Sequence, residues 1–196
     1  IALALSGGID SSLIAEISKT EFHRPLDSFC ISFEDDKRSE NVQAQRIAEE
    51  FCQSFSSVRI DPKLVSEEFD SYMNLFGNLS SLDGGIISNA LMAQAMAQKG
   101  FKVALFGEGA DEMFGGYTWF QLNEGFFRAL PLIVKKQIYF YAITRDQKFL
   151  LGIKSISSKK SFANILEFIQ DFEICTQLPQ HLLKKVDIAT MAASIE

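Results

Sequence analysis

Cysteine and histidine are scarce in this 196-residue chain, and their scarcity excludes several kinds of site. Its three cysteines, Cys30, Cys52 and Cys175, are odd in number and form no C-x-x-C pair, so neither a disulfide framework nor a zinc site is indicated. With only His23 and His181, a histidine-based metal cluster is excluded as well. We therefore expect reduced thiols and a cytoplasmic location.

Long apolar runs and a surplus of positive charge are also missing. No apolar segment reaches transmembrane length and no basic-then-apolar leader is present, so we expect no membrane partner. The formal net charge of −6 argues against nucleic acid as a partner. Residues 135–196 carry 9 basic and 6 acidic groups, which a solvated helical face explains better than a role in neutralising a triphosphate.

The chain does have the apolar content of a folded domain. Hydrophobic residues make up 47% of it and 18 residues are Phe, which excludes a disordered chain. Its length suits one domain, or one domain with a helical extension. Because it begins without Met, inside what reads as a strand, we expect it to be part of a longer protein.

Strand-like and helix-like segments alternate along residues 1–118. Strands are predicted at 1–5, 26–33, 57–60 and 101–106, and helices at 11–22, 42–51, from 61 onward and at 86–99. This alternation predicts an α/β fold with a doubly wound, mostly parallel sheet, whose ligands bind beyond the carboxyl ends of the strands. From Trp119 the pattern is helical, with a polar connection at 152–161 and helices at 162–175 and from 180. We therefore predict an α/β core at 1–118 and a helical extension at 119–196.

The first glycine-rich segment, residues 6–12 (SGGIDSS), lies between the first strand and the first helix. The first turn of a helix offers unpaired N–H groups and the positive end of its dipole, which favours an anion. Gly7 and Gly8 allow close backbone approach, and the hydroxyls of Ser6, Ser11 and Ser12 can donate to phosphate oxygens. The acidic Asp10 would repel phosphate unless a cation lay between them, so the segment predicts magnesium pyrophosphate. The G-x-x-x-x-G-K-[ST] and G-x-G-x-x-G motifs are both missing.

A second glycine-rich segment, residues 107–117 (GEGADEMFGGY), follows the fourth predicted strand. It contains three carboxylates, and carboxylates packed close together are costly unless a cation or a substrate group neutralises them. Oxygen ligands of this kind suit Mg²⁺, and Asp10 and Asp111 are the candidates to share one ion from opposite loops. Two such segments at one edge of a sheet make an ordinary pair of turns improbable.

Residues 6–12 resemble the SGGxDS loop of the ATP pyrophosphatase superfamily, whose fold is adenine nucleotide alpha hydrolase-like. Residues 107–117 resemble the GEGADELFGGY segment of asparagine synthetases, with Met113 in place of Leu, and residues 178–192 resemble a further segment of that family. A weaker likeness lies at residues 83–87. The resemblance covers the whole chain and extends to the synthetase domain of the glutamine-hydrolysing enzymes.

The resemblance implies a ligase that adenylates the side-chain carboxylate of aspartate, releases pyrophosphate, and lets ammonia displace AMP to give asparagine. It implies ATP and Mg²⁺ as cofactors. It also implies ammonia derived from glutamine by an N-terminal glutaminase domain of the full protein, and it is compatible with a homodimer. Carried over by position, residues 6–12 hold pyrophosphate, Asp10 and Asp111 bind the metal, and adenosine is contacted by Leu5, Ile31 and Gly107. Glu108 and Lys185 take the catalytic roles, at the intermediate and at the reacting phosphates.

Several positions depart from that family pattern. Phe106 stands where the family commonly has Ser, Gly85 where Ser is usual, and Ile188 where a basic residue is frequent, while residues 54–57 lack the expected histidines. These changes leave the ATP chemistry intact but leave the acceptor open. The alternative is an amidotransferase that acts on another carboxylate, such as a cell-envelope sugar or a peptide. A tRNA-modifying enzyme and a domain that binds nucleotide without turnover are disfavoured, the second because Asp10, Glu108 and Asp111 are all present.

Overall fold

The computed structural model describes residues 1–33, 40–76, 85–144 and 161–196. The helices and strands of these ranges are β1 (Ala2–Ala4), α1 (Ile9–Thr20), β2 (Asp27–Phe33), α2 (Glu40–Phe51), β3 (Ser54–Ile60), α3 (Pro62–Phe76), α4 (Gly85–Gln98), β4 (Ala104–Leu105), α5 (Ala110–Phe114), two 3₁₀ turns (Thr118–Asn123 and Gly125–Ala129), α6 (Leu132–Thr144), α7 (Ile165–Phe172), a π-helical segment (Glu173–Leu182) and α8 (Leu183–Ala192). None of the helices described combines the length and the apolar character needed to cross a bilayer.

The four strands form one parallel sheet in the order β3-β2-β1-β4. The chain builds this sheet outward from β1 through β2 to β3 and then returns to place β4 on the other side of β1. In such a sheet the crevice for a ligand opens where the strand order reverses, beyond the carboxyl ends of the two strands that flank that point. The predicted α/β fold with a parallel sheet is confirmed, and its switch point lies between β1 and β4.

Helices cover both faces of the sheet because successive strand side chains point to opposite sides. Leu3 and Leu5 belong to an apolar cluster with the buried alanines of α1 and α2. Ala2 and Phe29 belong to another, with Met92 and Met96 of α4. The sheet is therefore doubly wound, as predicted.

The first of two compact units is discontinuous in sequence, since it comprises Ile1–Glu108 and His181–Glu196. Helix α8 packs on α4, with Ala189 buried in the cluster that contains Ile86 and Ala90. Beyond α8, Ile195 is fully buried, and the backbone of Glu196 donates to Lys102 O (2.8 Å) and accepts from Ala104 N (2.8 Å). Residues 195–196 thus line the edge of β4.

The second unit, Gly109–Gln180, has a core rich in aromatic rings. Tyr139 is fully buried at its centre and makes edge-to-face contacts with Phe168 and Phe172, at centroid separations of 6.1 Å and 5.9 Å. Its hydroxyl donates to Glu173 Oε1 at 2.7 Å, so this buried polar group is satisfied.

Some element boundaries differ from those predicted. Strand β3 begins at Ser54, not at residue 57, and β4 is shorter than predicted. The predicted break between helices at 175 and 180 is wrong, because the chain stays helical through Pro179 in the π-helical segment, where the Thr176 hydroxyl donates to Phe172 O at 2.5 Å. Most of the predicted polar connection, through residue 160, lies outside the described residues.

The division of the chain at residue 118 stays a prediction about domains. The first compact unit ends its first part at Glu108 and also includes His181–Glu196, because α8 packs on α4.

Candidate functional site

The turn between β1 and α1 requires glycine at one position. Gly7 has φ +78°, and a Cβ added there would lie 2.8 Å from the backbone nitrogen of Ala44 in α2. Helix α2 also holds the turn directly, because Gln43 Nε2 donates to Gly7 O at 2.8 Å. Gly8, the residue before α1, has an ordinary φ of −71° and faces solvent. The shape of the turn therefore depends on Gly7 and on α2.

Serine hydroxyls brace the same turn from within. Ser6 Oγ and Ser11 Oγ are 3.1 Å apart, Gly8 N donates to Ser6 Oγ at 3.2 Å, and Ser6 N donates to Ser11 Oγ at 3.2 Å. Ser12 Oγ is buried and has no hydrogen-bond partner in the described part of the chain. An unpartnered buried hydroxyl at a helix N-terminus, next to the unpaired N–H groups of the first turn, favours an acceptor ligand at this end of α1.

The second glycine-rich segment reaches the first at the end of β4. A Cβ added to Gly107 would lie 3.4 Å from both Asp10 Cβ and Ser11 N, so the backbone after β4 runs close beside the start of α1. Glu108 follows at once and is exposed. The first residues of the second segment, Gly107 and Glu108, therefore lie beside the start of α1 at the switch point of the sheet.

A cleft of about 400 Å³ opens where these segments meet. Such a volume is typical of small-molecule sites. The predicted site residues that line the cleft are Leu5, Ser6, Gly8, Asp10, Ser11, Ile31, Gly107 and Glu108. Phe106, the position where the family commonly has Ser, also lines the cleft. The lining residues that sequence reasoning missed are Ala4, Phe29, Cys30, Phe33, Glu40, Ser88, Asn89 and Met92.

Three other predicted residues of the first unit do not line the cleft. Gly7 and Ser12 belong to the turn and the first helix but are not among the residues that line the cleft, within the ranges described. Lys185 lies half-buried on α8 and is not a lining residue of that cleft either. Its catalytic role stays a prediction.

The contribution of α4 to the cleft has a weak signal in the sequence. Ser88 and Asn89 are polar residues that interrupt an apolar helix, whose buried residues include Ile86, Ala90 and Met92. Helical periodicity identifies the helix, but it does not say that this polar pair faces a ligand.

The thiol in the cleft is not a nucleophile. Burial, with a smaller contribution from the Glu40 carboxylate, raises the pKa of Cys30 to about 11. Burial also raises the pKa of Cys52, which lies just after α2. At neutral pH both therefore remain neutral thiols, whereas the thiolate is the reactive form.

Asp111 lies in the second unit, in the first turn of the short helix α5. Glycines in the left-handed conformation flank this helix, Gly109 at φ +94° and Gly115 at φ +78°. The backbone nitrogens of Gly115 and Gly116 both donate to Asp111 O, at 2.9 Å and 3.0 Å. A Cβ on residue 116 would lie 1.8 Å from Asp111 Oδ1, so the Asp111 carboxylate can occupy its position only because residue 116 is glycine.

The remaining carboxylate of the segment is structural. Glu112 is 1% exposed and accepts a hydrogen bond from the Tyr117 hydroxyl, whose ring stacks on Trp119 at 4.5 Å. Burial and the bond to Glu112 raise the pKa of Tyr117. Burial likewise raises the pKa of the Glu173 carboxyl, although the Tyr139 hydrogen bond opposes this. Glu112 therefore anchors α5 in the second unit.

The carboxylates fit a magnesium ion held mostly by its substrate. Within the residues described, no group of three or more His, Cys, Asp or Glu side chains is arranged to hold a metal ion. Mg²⁺ is commonly bound through one or two carboxylates together with substrate phosphates and water. Asp10, which lines the cleft beside two hydroxyls, suits that arrangement.

Fold and site together define an α/β domain with a glycine-rich turn, suited to an anion, at the switch point of a parallel sheet. The asparagine synthase family model matches residues 1–196, and the chain belongs to this family.

Curated relatives and a solved structure are similar to the chain to different degrees. The glutamine-hydrolyzing asparagine synthetase 1 of Bacillus subtilis (strain 168) is 36% identical over 137 residues, which are 68% of this chain and 21% of that protein. The corresponding enzyme of Zea mays is 30% identical over 130 residues, 59% of this chain and 21% of its own. The matched part of the chain thus spans about a fifth of the length of these relatives. The NMN synthetase of Francisella tularensis aligns over 98% of this chain and 84% of its own, at 15% identity and a TM-score of 0.38, too slight a likeness to bear on the fold or the function.

Proposed function

We propose that this chain is the ATP-activating domain of an amide-forming ligase that makes asparagine from aspartate, ATP and ammonia. Family membership supports this class of enzyme. The observation that carries the proposal is the cleft at the switch point, lined both by the turn before α1 and by Gly107 and Glu108 after β4. The two segments bring phosphate-type donors and carboxylates to one small site.

The donors at the start of α1 fit a pyrophosphate group. Ser6 and Ser11 line the cleft, and the N–H groups of the first turn of α1 have no partner within the helix. The buried Ser12 hydroxyl has no other partner among the described residues. Asp10 adds the negative charge that a phosphate site tolerates only with a cation, so Asp10 would hold Mg²⁺. Asp111 is a candidate for a second ligand through the family resemblance alone. When bound, Mg²⁺ would offset the negative charge of the phosphates.

The chemistry then consists of two displacements. An oxygen of the aspartate side-chain carboxylate attacks the α-phosphorus, the bond from that phosphorus to the bridging oxygen breaks, and pyrophosphate leaves. The lone pair of ammonia next attacks the acyl carbon, the bond to the phosphate oxygen breaks, AMP leaves and the nitrogen loses a proton. The protein contributes mainly positioning and charge stabilisation in such reactions.

Glu108 is the residue that would act at the acceptor side of the nucleotide. It lies three residues after β4, lines the cleft and is exposed. Its carboxylate would orient the amine or receive its proton, and Lys185 would support the reacting phosphates. Ammonia would come from a glutaminase domain of the full protein, as the family resemblance implies. The neutral thiols of Cys30 and Cys52 are unsuited to amide hydrolysis.

Calorimetry of ATP binding tests the proposal. Asp10→Asn should lower ATP affinity at least tenfold in the presence of Mg²⁺ and change it little in EDTA, because Asp10 acts through the cation. Asp61→Asn is the matched control, since Asp61 is an exposed cap that accepts from Lys63 N at 2.8 Å and Asn caps equally well. Equal losses with and without Mg²⁺ would remove Asp10 from the metal side of the site. Release of ADP and not AMP by the full protein would exclude the adenylation chemistry.

A further inference from the structure

The cleft has an apolar part of its lining in addition to the serine-rich turn. Phe29 of β2 and Met92 of α4 are almost fully buried, and Ile31 and Phe106 pack in the same apolar cluster. All four line the cleft. A ligand whose phosphates lie at the start of α1 would therefore place its planar base among apolar side chains, where a polar edge has few partners.

Asn89 brings a side-chain amide into this apolar lining. It lies three residues before Met92 on α4, so the two side chains share one face of the helix. Asn89 lines the cleft, is half-buried, and makes no hydrogen bond within the part of the chain that the structure describes. Its neighbour Ser88 also lines the cleft, but the Ser88 hydroxyl already donates to Gly85 O at 3.0 Å.

We propose that Asn89 is the residue that selects the nucleobase, by accepting from the 6-amino group of adenine and donating to a ring nitrogen. An amide offers one acceptor and two donors, which match the amino group and the adjacent ring nitrogen of adenine in a bidentate pair. A base without the 6-amino group leaves the Asn89 carbonyl unpaired in an apolar cleft, which lowers affinity. This inference rests on the proposed use of ATP and adds the determinant of base specificity.

Calorimetric binding of ATP and of purine riboside triphosphate, which lacks the 6-amino group, tests the inference in Mg²⁺. The wild-type chain should prefer ATP by roughly tenfold, the lower end of what a bidentate base contact contributes. Asn89→Leu, an apolar side chain of similar size, should bring that preference close to one by weakening ATP far more than the analogue. Ser88→Ala, the matched control on the same face of the cleft, should keep the preference.

A second variant guards against misfolding of the first. Asn89→Asp keeps the acceptor oxygen and loses the donor, so it should bind both nucleotides more weakly while retaining the preference for ATP. A wild-type chain without a preference for ATP, an Asn89→Leu variant that keeps it, or an Asn89→Asp variant that loses it would each overturn the inference.

The inference and the proposed function fail in different ways. Suppose that ATP binds and that Asp10→Asn weakens ATP binding only in Mg²⁺, but that Asn89→Leu does not change the preference for the 6-amino group. In that case the inference alone is wrong. If the wild-type chain binds no ATP, both are wrong.

Discussion

Replacement of Gly7 by alanine is the sharpest test of how the turn before α1 is built. The new side chain would have to adopt φ +78°, a left-handed conformation that costs roughly 1–2 kcal/mol. Its Cβ would lie 2.8 Å from Ala44 N, and Ala44 is completely buried in α2, so the helix backbone has little room to move. Overpacking of this kind costs about 1–3 kcal/mol. We therefore expect Gly7→Ala to lower the free energy of unfolding by about 2–5 kcal/mol.

Gly8→Ala is the matched control, because the two glycines are adjacent but differ in conformation and surroundings. Gly8 has φ −71°, and the nearest atom to an added Cβ is Ser6 Oγ at 3.2 Å, the end of a small side chain. At this exposed position we expect a loss below about 1 kcal/mol, the usual cost of alanine before a helix.

Thermal unfolding followed by circular dichroism measures the difference between the two variants. For a chain of this length, 1 kcal/mol corresponds to a Tm shift of about 2–4 °C, so Gly7→Ala should melt roughly 4–20 °C below the wild type. Gly8→Ala should stay within about 4 °C of it. Equal Tm values for the two variants would show that neither the left-handed conformation of Gly7 nor its contact with α2 stabilises this turn.

Two predictions concern the second unit. Gly116→Ala should lower the Tm by roughly 2–12 °C, because the added Cβ would lie 1.8 Å from Asp111 Oδ1, 2.8 Å from Asp111 Cγ and 3.3 Å from Asp111 Cα, and overpacking costs about 1–3 kcal/mol. A variant that melts with the wild type would show that this contact is relieved without cost. Burial raises the folded-state pKa of Glu173, so its contribution to stability is full below its ordinary pKa of 4.5 and is lost as pH rises through the raised value. Unfolding followed by the fluorescence of Trp119, the single tryptophan, should thus give a lower Tm at pH 8 than at pH 5, and Glu173→Gln should reduce that difference; an undiminished difference would assign it to another group.

Much of the fold follows from local sequence signals. The strand–turn–helix at residues 1–20 is predictable because an apolar run, two glycines and a helical pattern follow one another. The length of β3 is not predictable in this way, since residues 54–57 include three serines, which are weak strand formers. They become a strand by pairing with β2, where Ser28 Oγ donates to Ser54 O (2.7 Å) and Ser57 Oγ to Ser32 Oγ (2.8 Å).

The candidate site is predictable where its residues come from the turns after strands, and less so elsewhere. Ser6, Asp10 and Gly107 follow strand ends, and parallel strands bring such positions to one edge of the sheet. Asn89 comes from the middle of a helix, and its place in the cleft depends on how α4 is rotated against the sheet. The burial of Glu112, whose carboxylate accepts from the Tyr117 hydroxyl, is also not evident from the sequence, because a charged residue in a glycine-rich segment is usually exposed.

The discontinuity of the first unit bears on the order in which the protein folds during synthesis. Residues 1–108 leave the ribosome before α8 and Ile195 exist, so one face of α4 and the edge of β4 remain uncovered while roughly 70 residues of the second unit are made. At typical rates of translation that delay lasts on the order of 4–14 s, which is long compared with the formation of helices and hairpins. The nascent sheet therefore stays open at its β4 side until residues 195–196 arrive, and closure of this unit is a late event in its biogenesis.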